Sequence, residues 1–200
     1  MKGRVIVLSG PSGAGKSTLI KGVRERVDNL SYSTSHTTRK PRSAEKEGAD
    51  YFFTDKAAFQ EMINRNEFVE WARVYDDFYG TSYQAIDDKI SAGEDIILDI
   101  DVQGAKNIKE QLDNCLLIFI LPPSMEILEK RLRGRATDSG DAIENRIRQA
   151  NSELSNCTWY DYLIVNSDLE KAIGELESVI TADRCRTDRR LSGIKTIFSI

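Results

Sequence analysis

The stretch RVIVLSGPSGAGKSTL, residues 4–19, limits the possible folds more than any other part of this 200-residue chain. Arg4–Ser9 is nearly continuous Val, Ile and Leu, the pattern of a strand covered on both faces. It runs directly into GPSGAGKS, Gly10–Ser17, which matches G-x-x-x-x-G-K-[ST] at every fixed position, and a helical pattern follows over Lys16–Val27. Strand, glycine loop and helix in this order make a cradle for phosphate. Glycines let backbone N–H groups turn in around phosphate oxygens, and the helix N-terminus adds the positive end of its dipole. Gly10, Ser12, Gly13, Ala14, Gly15, Lys16, Ser17 and Thr18 are therefore the expected contacts of a nucleoside triphosphate. Lys16 is expected to reach the β- and γ-phosphates and Ser17 to ligate Mg²⁺.

Three further apolar runs read as parallel strands: Ile96–Ile100, Leu116–Leu121 and Tyr162–Val165. Helical patterns separate them over Val102–Leu112, Ser124–Arg133, Asp141–Cys157 and Leu169–Ala182. Strands alternating with helices predict an α/β fold, a three-layer P-loop NTPase core around a parallel sheet. Two segments break the alternation. Residues 31–91 are rich in Tyr, Phe and charge, with short strand candidates SYSTSH, DYFF and FVEWARV, and predict an inserted mixed α+β subdomain. Gly134–Gly140 is a polar, glycine-bounded loop between helices, the composition of a small helical lid.

The formal net charge is −4, from 28 basic and 32 acidic residues, which argues against general binding of nucleic acid. Cys115, Cys157 and Cys185 form neither a CxxC nor a Cys/His cluster, so a zinc site or disulfide framework is not expected. No stretch has the length and apolarity of a membrane span, and no signal peptide is read at the N-terminus; the expected location is cytoplasmic, with no membrane partner. An Asn-Lys-x-Asp motif, which a GTP-hydrolysing switch would use to read its base, is missing.

The basic residues that do occur are clustered. SHTTRKPR, Ser35–Arg42, combines three positive charges with hydroxyls and the single histidine, and further polar motifs follow: GADYFF, NEFVEWA, YGTSY and LDIDVQG. Together with GPSGAGKSTL, these motifs resemble the guanylate kinases over about Val5 to Ala182. The resemblance implies transfer of a phosphoryl group from ATP to GMP with Mg²⁺, by a core, a GMP-binding subdomain and a lid. It implies Ser35, Glu70, Thr81 and Asp99 around the guanine and Arg39, Arg42, Tyr51 and Tyr79 on the GMP phosphate. It further implies Arg42, Arg135 and Arg146, with Lys16, as catalytic, and Arg131, Asn166 and Ser167 on the ATP side. Within a single domain, 1–200, the expected division is a core of 1–33, 96–125 and 158–183, a GMP-binding subdomain of 34–95, a lid of 126–157 and an extension of 184–200.

Physical chemistry supports part of this independently. Guanine presents adjacent donors, N1–H and the exocyclic amine, and a carboxylate such as Glu70 accepts from both. Adenine would set a lone pair against it, and sites built on such hydrogen bonds reject the wrong partner by roughly 10⁴-fold. Ser35 or Thr81 can donate to guanine O6. Paired arginines suit a phosphate dianion. In the lid segment, Glu129 with Arg133 and Glu144 with Arg148 fit i,i+4 pairing, which leaves Arg131, Arg135 and Arg146 for phosphate charge. Asp99 or Asp101 can orient Mg²⁺ through water from a strand end, whereas the resemblance assigns Asp99 to GMP. Trp71 is expected to pack, and His36 to be a polar neighbour without a catalytic role. Ile194, Ile197 and Phe198 of the extension offer a surface for a homo-oligomer. Two other readings compete: a guanylate-kinase-like protein-binding module, which the intact Gly13, Gly15, Lys16 and Ser17 disfavour, and a small kinase with a ribose bisphosphate acceptor, which has no use for Ser35, Glu70 and Thr81.

Overall fold

Successive residues of the first strand leave in opposite directions, and both directions are apolar. That alone requires helices above and below the sheet. The computed structural model describes residues 2–42, 45–48, 51–74, 76–112, 114–134 and 140–198. Its first half runs β1 (Val5–Ser9), α1 (Lys16–Arg24), β2 (Leu30–Tyr32), β3 (His36–Thr37), β4 (Phe52–Phe53), α2 (Lys56–Asn64), β5 (Phe68–Val74), β6 (Asp77–Ser82) and α3 (Tyr83–Ser91). The second half is β7 (Asp95–Asp99), α4 (Val102–Gln111), β8 (Cys115–Leu121), α5 (Met125–Arg133), α6 (Gly140–Leu154), a 3₁₀ turn at Cys157–Trp159, β9 (Tyr162–Val165), α7 (Leu169–Arg184) and α8 (Thr187–Phe198).

The core sheet has the order β2-β7-β1-β8-β9, every pair parallel. Ile6 and Leu8 of β1 pack with Leu19, Ile20 and Val23 of α1 and with Ile173, Leu176 and Ile180 of α7. Val5 and Val7 point the other way, into Ile86 of α3 and Ala105 and Ile108 of α4. Burying each such side chain contributes roughly 1.5–3 kcal/mol, so the expected three-layer α/β core is held chiefly by these two apolar interfaces. The four expected strands form within a residue or so of their expected limits; the fifth, β2, was too short to register as an apolar run. β9 differs from expectation in burial. At the sheet edge only Ile164 is buried, in the cluster it shares with Ile173, Leu176 and Ile180 of α7, while Tyr162, Leu163 and Val165 are exposed.

Residues between β2 and β7 form the mixed insertion, a second sheet of order β4-β3-β6-β5 in which β3 and β4 are parallel and the other pairs antiparallel. Phe59 of α2, fully buried, stacks on Phe68 at 4.4 Å and on Phe78 at 5.5 Å between ring centroids, giving this sheet its own core. Helix α2 starts where Asp55 accepts from Ala58 N at 2.8 Å. α3, which follows β6 directly, places Ile86 in the core cluster instead. Helices α5 and α6 share a third cluster of Leu128, Leu132, Ile143 and Ala150.

The C-terminal extension, to which sequence alone assigned no role, is helical and tied to the core. Arg189 bridges Asp95 at 2.5 Å and Asp183 at 2.6 Å, Arg184 bridges Asp95 at 2.7 Å, and the buried Arg4 pairs with Asp183 and Asp188. Leu191, Ile194, Ile197 and Phe198 on α8 remain exposed. No helix among the described residues is long and apolar enough to cross a membrane.

Candidate active site

The loop between β1 and α1 takes a backbone path that side chains would obstruct. Gly10 has φ 140°, and a Cβ there would lie 2.3 Å from the Ile120 carbonyl oxygen. Gly15, the N-cap of α1, has φ 96°, and a Cβ would meet Asn166 Nδ2 at 2.2 Å. Both conditions call for glycine, so two fixed positions of the motif are explained by the protein's own packing. Lys16 Nζ donates to Gly10 O at 2.7 Å and stands 3.7 Å from Asp99 Oδ1. Ser17 and Thr18 are exposed on the first turn, beyond the half-buried Lys16.

Beside the loop lies a cleft of about 560 Å³ lined by Gly13, Gly15, Thr18, Arg131, Asn166 and Ser167, among others. Asn166 is buried; its Nδ2 donates to Ala14 O at 2.7 Å. Arg131 reaches back from α5 to donate to Gly13 O at 3.4 Å and Asn166 O at 3.2 Å. The three residues that resemblance placed on the ATP side thus meet at one end of the loop. Asn166 is committed to holding loop backbone, whereas Ser167 is exposed.

On the inserted sheet, Glu70 of β5 stands directly opposite Thr81 of β6. Burial pushes the Glu70 carboxyl above its usual range, opposed by hydrogen bonds from Thr81, and the nearby Asp101 adds to the upward push. Asp99, at the C-terminal end of β7, is also raised by burial, against the pull of Lys16. Ser35 is half-buried, just before β3. Arg39 forms a compact group with two tyrosines: its guanidinium lies 5.4 Å over the Tyr51 ring and hydrogen bonds with Tyr79, while the two tyrosine rings are 6.0 Å apart. Arg42 is exposed. Asp101 caps α4 by accepting from Gly104 N at 2.8 Å, a structural task that Asp99 does not have.

Three residues near these groups escaped the sequence. Glu45 pairs with Arg39 at 2.8 Å and accepts from Arg42 N at 2.8 Å, and the Arg39 guanidinium holds its carboxyl below the usual range. Its only sequence signal is a carboxylate three residues after an arginine. Tyr32, at the end of β2, is pushed up to about 12 by burial and then by Asp99, Tyr51 and Glu70. Glu153 of α6 has its carboxyl raised by burial, with Lys16 opposing and Asp101 adding to the shift. Both come near the site through strand pairing or helix packing that sequence does not display.

From α6, Arg146 is half-buried and engaged in an interaction. Arg133 pairs with Glu129 at 2.6 Å, as the i,i+4 spacing predicted, and Arg148 donates to Asn145 at 2.6 Å. Arg135 lies outside the described residues.

The family model for guanylate kinase matches residues 2–183. A guanylate kinase of Geobacter sulfurreducens is 46% identical over 199 residues, covering 100% of this chain and 98% of its own length. One of Carboxydothermus hydrogenoformans is 47% identical over 188 residues, covering 94% and 92%. The crystal structure of guanylate kinase from Anaplasma phagocytophilum superposes with a TM-score of 0.73 at 34% identity, over 100% of this chain and 97% of that one.

Proposed function

The chain belongs to the guanylate kinase family and phosphorylates GMP at the expense of ATP; from that premise we propose how its residues divide the reaction. ATP lies with its phosphates along Gly10–Thr18 and its base in the cleft of Arg131, Asn166 and Ser167. GMP lies across the inserted sheet. Glu70 accepts from guanine N1–H and the exocyclic amine, Ser35 and Thr81 serve O6, and Asp99 completes the base site. Arg39, Arg42, Tyr51 and Tyr79 hold the GMP phosphate, with Glu45 keeping Arg39 and the backbone at Arg42 in place. A GMP phosphate oxygen then bonds to the γ-phosphorus of ATP, the bond from that phosphorus to the β–γ bridging oxygen breaks, and ADP leaves. Such a transfer asks for alignment and charge neutralisation more than for a strong base. Lys16, Arg42, Arg135 and Arg146 supply the positive charge.

The observation that carries this reading is the place of Lys16. Its ammonium touches the loop carbonyl of Gly10 and stands beside Asp99, so the cradle of one nucleotide and the site of the other meet at one cation. Around Lys16, the Ser17 hydroxyl next in the chain and the Asp99 carboxylate offer oxygen donors, the kind Mg²⁺ prefers. Among the described residues no cluster of His, Cys, Asp and Glu forms a protein-only metal cage, which suits an ion carried largely by ATP phosphates. When bound, Mg²⁺ neutralises phosphate charge. The location we propose is the cytoplasm.

The test is ADP release from ATP with GMP, dGMP, AMP, CMP and UMP in turn. GMP and dGMP are expected to turn over and AMP to fall below GMP by roughly 10⁴-fold in kcat/KM. AMP turnover at comparable efficiency would remove Glu70 from base recognition, and no turnover of GMP would sink the whole assignment.

A further inference from the structure

His36 and Ser82 are chain neighbours of the proposed guanine contacts Ser35 and Thr81. Side chains alternate along a strand, so His36 and Ser82 face away from the GMP site. On that reverse side they line a cavity of about 690 Å³, a size that holds small organic ligands. One wall is the inserted sheet and α2, through His36, Phe52 and Met62; the other is the start of α3, through Tyr83, Ala85 and Asp88. α3 packs into the core through Ile86. The cavity therefore spans the junction at which β6 of the inserted sheet runs into α3, which packs on the core.

Its chemistry is selective. His36 lies flat against Phe52, with ring centroids 4.9 Å apart, and edge-on to Phe68 at 5.6 Å. Its Nδ1 is buried and has no hydrogen-bond partner among the described residues. Burial lowers the imidazole's pKa, opposed by Glu47 and Glu67. Among the described residues the lining carries two carboxylates, Glu67 and Asp88, and no Lys or Arg. Arg65 approaches Glu67 at 3.8 Å, and Asp88 Oδ1 accepts from Gln84 at 2.6 Å. Phosphates and carboxylates are disfavoured in such a lining, and cations are favoured.

We propose that this cavity binds a small aromatic cation: Phe52, Met62 and Tyr83 receive the ring, and Glu67 and Asp88 offset the charge. A ligand wedged between the inserted sheet and α3 resists their approach and weakens GMP binding while leaving ATP binding unchanged. This consequence rests on the proposed function; the binding itself does not.

The chain has one histidine, so its imidazole C–H resonances report on the cavity without assignment. Benzamidine is titrated into the whole protein at fixed pH, with sodium chloride as the ionic-strength control. We expect a saturable shift with a Kd on the order of 1 mM for a probe of this size. Benzoate, the same ring with opposite charge, is expected to give none. Asp88→Asn, an exposed substitution, should weaken benzamidine about threefold or more. No saturable shift, or an equal shift with benzoate, would overturn the site; GMP is expected to weaken benzamidine by the same factor by which benzamidine weakens GMP. Saturating benzamidine should raise KM for GMP and not for ATP; an unchanged KM for GMP would overturn the coupling and leave the ligand site standing on the resonance data.

Discussion

Glu70 shows how much a single residue can be made to do by its surroundings. On a strand surface it would titrate with the ordinary carboxylates. Paired with Thr81 on a half-buried sheet, it has a carboxyl raised by burial. Because its pKa is higher in the folded state than in the unfolded one, folding favours the protonated form, and the associated stability is lost as pH rises through the folded value. Glu70→Gln removes this dependence. Thermal unfolding should show the variant more stable than the parent above that folded pKa, with the difference closing below the ordinary value of 4.5. Activity should move the opposite way. The amide replaces one acceptor oxygen with a donor, so KM for GMP should rise roughly 10- to 100-fold with a smaller change in kcat. The acid-side rise in KM of the parent should disappear as well. An unchanged pH profile would mean that Glu70 does not meet the base. The role proposed for it is suggested in the sequence only by the company of Ser35, Thr81 and the phosphate loop. Tyr32 was not legible there, because it comes near Asp99 through the pairing of β2 with β7, across more than sixty residues of chain.

At the scale of elements, apolar runs located four of the five core strands, since burial on both faces leaves no other composition possible. The same rule misjudged β9, whose Leu163 and Val165 are exposed at the sheet edge: hydropathy records what a strand tolerates, and position in the sheet decides what is covered. α8 was illegible for the reverse reason. Its anchoring depends on charges, Arg189 with Asp95 and Asp183, whose partners are distant in sequence. These pairs lie at the N-terminal ends of β1 and β7, the end of the sheet opposite the loop at Gly10. Arg189→Ala leaves two buried carboxylates short of a partner, and should cost about 3 kcal/mol in urea unfolding, with kcat and both KM values near parental. A loss below about 0.5 kcal/mol would show that Arg184 and Arg4 suffice without it.

The whole molecule must reconcile two polyanionic substrates with a chain of net charge −4. Long-range attraction contributes little, so the positive charge has to be delivered locally, and the residues proposed to deliver it are Lys16, Arg39, Arg42 and Arg146. These groups sit on different parts of the fold: the loop on the five-stranded sheet, the proposed acceptor residues on the four-stranded one, whose Val69 also reaches the core, and Arg146 on a helix pair with its own apolar cluster. Separate cores joined by short connections can move as units, and each nucleotide supplies a reason to close one side. Closure by one ligand alone would leave ATP phosphates facing water, so the productive arrangement should require both. Small-angle scattering of the full chain tests this. The radius of gyration should fall more with GMP and a non-hydrolysable ATP analogue together than the sum of the changes with either alone. A purely additive change would mean that the two sides close independently, and exclusion of water would then have to come from α5 and α6 alone.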